Sequence, residues 1–282
     1  MPERWVLISG ATSGIGEACA AALISDGFHV LGGYRKKRDA VKLRQFGARM
    51  IPVELDVTRP NSVRAAATFV RRRCGRDGLY GLVNNAGVTL GGPLEAVPVA
   101  QVRQLFEVNV FGMIAVTQAM LPLLRLAPGR IINIGSLSGL LASPFLSAYC
   151  ASKAALESLC DALRIELAPW GIEVSLIEPG ATASRVWEKT AAASARLRRA
   201  VPRASRALYG EAWDRVDAVI RGAAQRAELA ARVGAAVHEA LVVAEPSTRY
   251  PLDNGETMQM RALPDRERDQ LLLRAWQLPG RR

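Results

Sequence analysis

Apolar residues recur in short runs at positions 5–9, 29–34, 49–55, 81–84, 130–135 and 173–178, and a stretch with helical periodicity separates each run from the next. The helical stretches fall at 15–26, 38–46, 61–74, 98–126 and 149–168, and Pro169-Trp170-Gly171 stops the last of them. Strand and helix alternating in this way predict a doubly wound parallel sheet covered by helices on both faces. After Gly180 the pattern changes to Ala-, Arg- and Glu-rich helical sequence over 186–244, with breaks expected near Pro202 and Gly210. A short extended piece at 248–252 adds a last strand, for about seven in all, and 265–276 reads as a final helix. Segments that follow the last regular βα unit lie near the carboxyl ends of the strands, where ligands bind. Residues 185–282 are therefore expected to supply a helical substrate lid and a C-terminal extension to one domain spanning 1–282.

Length and composition narrow this picture. A chain of 282 residues with no linker-like stretch, internal repeat or low-complexity tract fits one α/β domain with a large core. MPERWVLISG leads directly into the first strand without a small-residue cleavage site, so no signal peptide is expected and the protein is placed in the cytoplasm. The most apolar long stretch, 108–126, is interrupted by Asn109, Gln118, Pro122 and Arg125 and is not expected to span a membrane. Four scattered cysteines and two isolated histidines, His29 and His238, offer no metal-type spacing, which predicts reduced thiols and no metal. The net charge of +11, from 37 basic and 26 acidic side chains, collects at Arg35-Lys36-Lys37-Arg38, at Arg71-Arg72-Arg73 and over 196–206. No aromatics interleave these clusters, so the last two read as solvated faces and nucleic acid is not an expected partner.

SGATSGIG, residues 9–16, follows the first strand and opens the first helix, where backbone N–H groups and a helix dipole can receive a pyrophosphate. Gly10 suits a tight turn, Gly14 close approach by a ligand, and Gly16 close packing of helix on strand. At the tip of the second strand an acidic side chain would bind the ribose hydroxyls of NAD and repel an added phosphate. This chain has Tyr34 and Arg35 there and no carboxylate until Asp39. A guanidinium suits a phosphate, so NADP(H) is favoured over NAD(H), although Ser13 withholds a second basic contact.

YCASK, residues 149–153, puts Tyr149 and Lys153 one turn apart on one helical face. A phenol is a poor base near pH 7, and a neighbouring ammonium favours its ionised form, so the pair is a candidate proton donor and acceptor. Alone it reads more readily as a structural helix pair. Ser136 ends the strand 130–135, NNAG (84–87) ends the strand before it, and Asn109 breaks an apolar helical face. Taken with LDVT (55–58), VNVFG (108–112), GSLSG (135–139) and EPG (178–180), these motifs resemble the short-chain dehydrogenase/reductase family in its single-domain, Rossmann-type form, over roughly 6–184. Ser9 stands where threonine is usual.

The resemblance implies hydride transfer between a nicotinamide and a CH–OH or carbonyl carbon. By it, Tyr149 is the general acid/base, Lys153 lowers its pKa and holds the nicotinamide ribose, Ser136 orients the substrate oxygen, and Asn109 supports a water-linked proton relay. The cofactor would lie along Gly10, Thr12, Ser13, Gly14, Ile15 and Gly16, then Tyr34 and Arg35, with Asp56 and Val57 at the adenine. Asn85, Ala86 and Gly87 would support the adenosine side, and Pro179, Gly180 and Thr182 would pass the nicotinamide. GLYGLVNNAGV, YCASKAALESLCDALRIEL and IEPG are similar to the branch containing 17β-hydroxysteroid and retinol dehydrogenases, which implies a hydrophobic, steroid-like or retinoid-like alcohol or carbonyl. Phe145 and Trp187 are the expected substrate contacts beside Ser136 and Tyr149, and Tyr209 and Trp213 fit either an apolar pocket or core.

Other readings fit less well. GSLSG has Leu137 where a hydrolase elbow needs serine, and no histidine completes a triad. A 3-oxoacyl thioester reductase is the alternative enzyme. An NADP-binding redox sensor is the non-enzymatic one, for which a proton relay would be superfluous. Apolar residues on more than one face of helices 98–126 and 149–168 imply a homodimer or homotetramer.

Overall fold

The computed structural model describes residues 3–127, 129–180, 195, 197–199, 201, 203–224, 229–253, 255–276 and 278. Thr182 and Trp187 lie outside them. Seven strands are described: β1 (Trp5–Ile8), β2 (His29–Tyr34), β3 (Met50–Glu54), β4 (Gly81–Asn84), β5 (Arg130–Ile134), β6 (Glu173–Pro179) and β7 (Arg249–Leu252). They form one sheet in the order β3-β2-β1-β4-β5-β6-β7, every pairing parallel. The order reverses at β1, which opens a crevice between the carboxyl ends of β1 and β4.

Alternate residues of each strand enter two separate cores. On one face Leu7, Leu31, Leu82, Ile131 and Leu176 meet α3 (Pro60–Cys74), α5 (Gly112–Leu124) and α7 (Ser147–Leu167) through Val63, Val70, Val116, Met120 and Leu167. On the other, Val6, Ile8, Val30, Val83, Ile132 and Ile177 meet α1 (Ile15–Ser25), α2 (Lys37–Arg44) and α9 (Leu229–Val242) through Cys19, Leu23, Leu43, Val233, Val237 and Leu241. Both faces are dry, which is why the strands read as nearly continuous apolar runs. The four cysteines are buried and unpaired, and no metal-binding group of His, Cys, Asp and Glu occurs among the described residues.

Three elements differ from the sequence reading. The stretch expected as one helix over 98–126 is α4 (Val99–Phe106), a π turn (Glu107–Phe111) and α5. Its apolar content is that of a core helix, with Val116, Met120, Leu123 and Leu124 buried against the sheet. Gly210 does not break the chain, for it lies inside α8 (Arg203–Ala224). Further on, α9 is a core helix rather than part of a lid. Gly234 seats it on α1 so closely that a Cβ there would come 2.8 Å from the Ala18 carbonyl oxygen. Beyond β7 the chain forms α10 (Glu256–Ala262) and α11 (Asp265–Ala275). The first of these packs on α6 (Leu137–Leu140), the short helix that follows Ser136.

Candidate active site

A cavity of about 840 Å³ runs along the carboxyl ends of the strands. Gly10, Thr12, Ser13, Gly14 and Ile15 line its middle, where α1 begins. Gly10 and Gly14 have φ of 68° and 60°, values that side chains with a Cβ disfavour. Gly16 lies beneath the loop rather than on the cavity, and a Cβ there would come 2.3 Å from the Gly10 carbonyl oxygen. Asn85 braces the same turn: its Nδ2 donates to the carbonyls of Ser9 at 2.9 Å and Gly10 at 3.0 Å. The Ser9 hydroxyl accepts from the N–H groups of Asn85 and Ala86, both at 2.9 Å. A hydroxyl at position 9 is what this joint requires, and serine supplies it as threonine would.

One end of the cavity is basic. Tyr34, Arg35, Lys36, Arg38 and Lys42 line it, together with Asp39. Lys36 and Arg38, read in the sequence only as part of a charge cluster, and Lys42, not named there, go beyond the expected cofactor contacts. The signal for Lys42 is its helical spacing, one turn past Arg38 on α2. Asp56 and Val57 line the adjoining wall. Asp56 is fixed by Thr58, whose N–H and hydroxyl both donate to Oδ1, at 3.1 and 2.7 Å. Asn85, Ala86 and Gly87 continue the lining toward the other end. A long cleft with a backbone N–H turn at its centre and cations at one tip matches the shape and charge of a phosphorylated dinucleotide.

At the opposite end the cavity reaches Ser136, Tyr149, Lys153, Pro179 and Gly180. Ser136 caps α6, its hydroxyl accepting from the Ser138 N–H at 3.1 Å. Tyr149 and Lys153 sit on α7 and are both buried, at 8 % and 7 % exposure. The Lys153 ammonium donates to the Ile134 carbonyl at 2.8 Å and lies 5.9 Å from the centre of the Tyr149 ring. Burial dominates both titrations. It pushes Tyr149 up to about 12, against the downward pull of a hydrogen bond from Ser136, and pushes Lys153 down to about 8. The expected lowering of the phenol by its lysine is therefore not the governing effect in the free protein, because desolvation outweighs it.

Asn109 does not line the cavity. Its side chain is fully engaged: Oδ1 accepts from the Val88 N–H at 2.8 Å, and Nδ2 donates to the Val88 carbonyl at 2.9 Å and to Ser152 Oγ at 3.0 Å. It thus ties the π turn to the loop after β4 and to α7. Cys150 is no nucleophile. Burial raises its thiol, and its Sγ accepts from the Ser143 N–H at 3.4 Å.

Phe145 is absent from the dinucleotide cleft and packs on the apolar cluster of Leu90, Leu105, Leu146 and Tyr149. Its φ of 62° is the only positive value among described non-glycine residues, and the Gly92 N–H holds its carbonyl at 2.8 Å. Its ring stands edge-on to Tyr209 at 6.2 Å. Trp213, on α8, is buried with Leu197 and Val201 against Ala96, Val97 and Phe145, so it is core that seats this helix on the loop after β4 and on Phe145. Trp276 and Leu278, not anticipated as site residues, pack against the same cluster as Phe145.

A family model described as short chain dehydrogenase matches residues 4–195. NADPH-dependent 3-dehydrocapnine reductase of Ornithobacterium rhinotracheale is 32 % identical over 277 residues, 95 % of each chain. Retinol dehydrogenase 5 of Mus musculus is 38 % identical over 260 residues, 88 % of this chain and 80 % of the relative. Among solved structures, a short-chain dehydrogenase from Streptomyces avermitilis superposes with a TM-score of 0.76 at 30 % identity, covering 98 % of this chain and 97 % of the other.

Proposed function

This chain belongs to the short-chain dehydrogenase family, and from that premise we propose that it is an NADP(H)-dependent oxidoreductase interconverting a bulky, largely apolar alcohol of retinoid or steroid type and its carbonyl partner. The observation that carries the reading is the convergence of buried Ser136, Tyr149 and Lys153 at one end of a cleft whose other end is basic. Arg35, Lys36, Arg38 and Lys42 support NADP(H) over NAD(H), as does the NADPH in the name of the Ornithobacterium relative. The glycine turn would hold the pyrophosphate, Asp56 and Val57 the adenine, and Lys153 the nicotinamide ribose. When bound, the nicotinamide supplies or accepts the hydride.

The chain's own groups handle the proton. Tyr149, pushed up to about 12, keeps its proton at neutral pH and can give it to a carbonyl oxygen as that oxygen gains charge. Ser136, at the same end of the cavity and with its hydroxyl donating to the Pro179 carbonyl at 3.4 Å in the free protein, would turn to the same oxygen and share the developing charge. Lys153 brings a cation beside the phenol that favours the ionised form left after transfer. The apolar cluster around Leu90, Phe145 and Leu146 supports a hydrophobic substrate.

The test is turnover of the purified protein with NADPH and NADH against retinoid and steroid carbonyls and against acetoacetyl thioesters. Turnover with NADPH on the apolar carbonyls is expected, and Tyr149→Phe should lower kcat by about 10²- to 10⁴-fold, the range for a general acid. Wild-type rates in Tyr149→Phe would remove the catalytic assignment, and turnover on thioesters alone would move the substrate class to 3-oxoacyl esters.

A further inference from the structure

We propose that Arg249, at the start of β7, is a positioning residue that holds α7, β6 and the Ser136 turn in register at the reacting end of the cleft. The inference rests on the roles given above to Ser136, Tyr149 and Lys153. The Arg249 guanidinium reaches two elements at once. Nη1 bonds Glu157 Oε2 and lies 3.5 Å from Glu178 Oε1, and Nη2 bonds Asp161 Oδ2 at 2.9 Å. Glu157 continues the helical face of Tyr149 and Lys153, each four residues beyond the last, so a force on Glu157 is a force on the turn bearing Lys153. Glu178 immediately precedes Pro179-Gly180, which line the cavity opposite Lys153.

The third element enters through Gly139. A Cβ there would come 3.0 Å from Glu157 Oε1 and 3.1 Å from the Lys153 carbonyl oxygen. The short helix that begins just after Ser136 thus rests directly on the Lys153–Glu157 turn. Glu157 Oε1 is buried and has no hydrogen-bond partner among the described residues, so Arg249 at Oε2 is what fixes that carboxylate.

Only Glu157 and Glu178 of this cluster are buried, while Arg249 and Asp161 are partly exposed, so it is a poor source of net stability: solvent screens the outer pair and desolvation offsets the inner attraction. What it fixes well is geometry, since a guanidinium accepts few arrangements of carboxylates. The cluster is also short of positive charge. Glu178 is pushed up to about 7 by burial and then by Asp253 and Asp161, with Arg261 of α10 opposing. Taking Arg249 away leaves Glu157 and Glu178 without the cation that lies between them and Asp161 with Arg164 alone, which loosens the hold of α7 on β6 where the cofactor and substrate meet.

The experiment compares Arg249→Met, Arg249→Lys and Glu157→Gln with wild type in kcat, substrate KM, NADPH affinity by fluorescence titration and melting temperature, with rates taken well below every melting point. Small misplacements at a reacting centre are amplified in rate. Arg249→Met is therefore expected to lose about tenfold or more in kcat with NADPH affinity within about threefold. Arg249→Lys and Glu157→Gln, each keeping part of the network, should fall between Arg249→Met and wild type. Folded Arg249→Met with kcat within twofold of wild type would overturn the proposal, as would losses in all three variants that track only the folded fraction. A wild-type protein that binds NADPH but turns over no alcohol or carbonyl would instead overturn the reading on which the proposal rests, and the proposal with it.

Discussion

Tyr149 and Lys153 shift in opposite senses for one reason: burial penalises the charged form, which is the deprotonated state of a phenol and the protonated state of an amine. The consequence for pH is directional. Between pH 6 and 7 the phenol holds its proton and Lys153 is mostly charged, so carbonyl reduction has its proton donor ready. Above about 8 Lys153 loses its charge, and support for the departing phenolate weakens. Alcohol oxidation needs the deprotonated phenolate to accept the alcohol's proton and so gains from rising pH. Initial rates in both directions from pH 6 to 10 should show reduction level and then falling past about 8, with oxidation rising over the same range. An oxidation rate that peaks below pH 7 would contradict the assignment. At this scale much was legible in the sequence, because Ser136, Tyr149 and Lys153 belong to motifs of fixed spacing. The sign of the phenol's shift was not, since it depends on how deeply the helix buries it. Nor was the full engagement of the Asn109 side chain, which depends on a loop that folds back from β4.

Elements were legible where periodicity is set by the sheet and obscure where it is set by local geometry. All seven strands appear within a residue of their expected limits, because two dry faces demand unbroken apolar runs. The π turn at 107–111 carries no such mark, since its phase shift of one residue falls in a stretch apolar on more than one face, where no single stripe is interrupted. Gly210 misled in the other direction: glycine disfavours a helix by about 1 kcal/mol but does not forbid one, and packing of the flanking turns overrides it. That misreading has a testable counterpart. Among the described residues a Cβ at Gly210 would meet only the Arg198 guanidinium, at an ordinary 3.7 Å. Gly210→Ala should therefore stabilise the protein by about 0.5–1 kcal/mol, read as a higher urea midpoint at unchanged slope, with kcat unaltered. Destabilisation by a similar amount would mean that α8 bends at 210 and that the expected break is real.

For the whole molecule, the exposed faces of α5 and α7 pose a problem that a single copy leaves unsolved. Ala151, Ala154, Ser158, Ala162 and Ile165 form an exposed, uncharged line along α7, and Phe111 stands 53 % exposed at the entry to α5. A chain with 37 basic and 26 acidic side chains has charge available for such a surface, yet these positions carry none. Small residues on a helix allow another helix to approach closely, and an isologous contact repeats the same line across a two-fold axis. The net charge of +11 opposes self-association only weakly at physiological salt, where screening acts within about 8 Å. A homodimer or homotetramer is therefore expected by light scattering at micromolar concentration. Ser158→Glu with Ile165→Glu should shift the mass toward the monomer, because it places charges of one sign on both sides of an uncharged interface. Wild-type protein that is monomeric under these conditions, or a double variant that keeps the wild-type mass, would show that this line is not the contact surface.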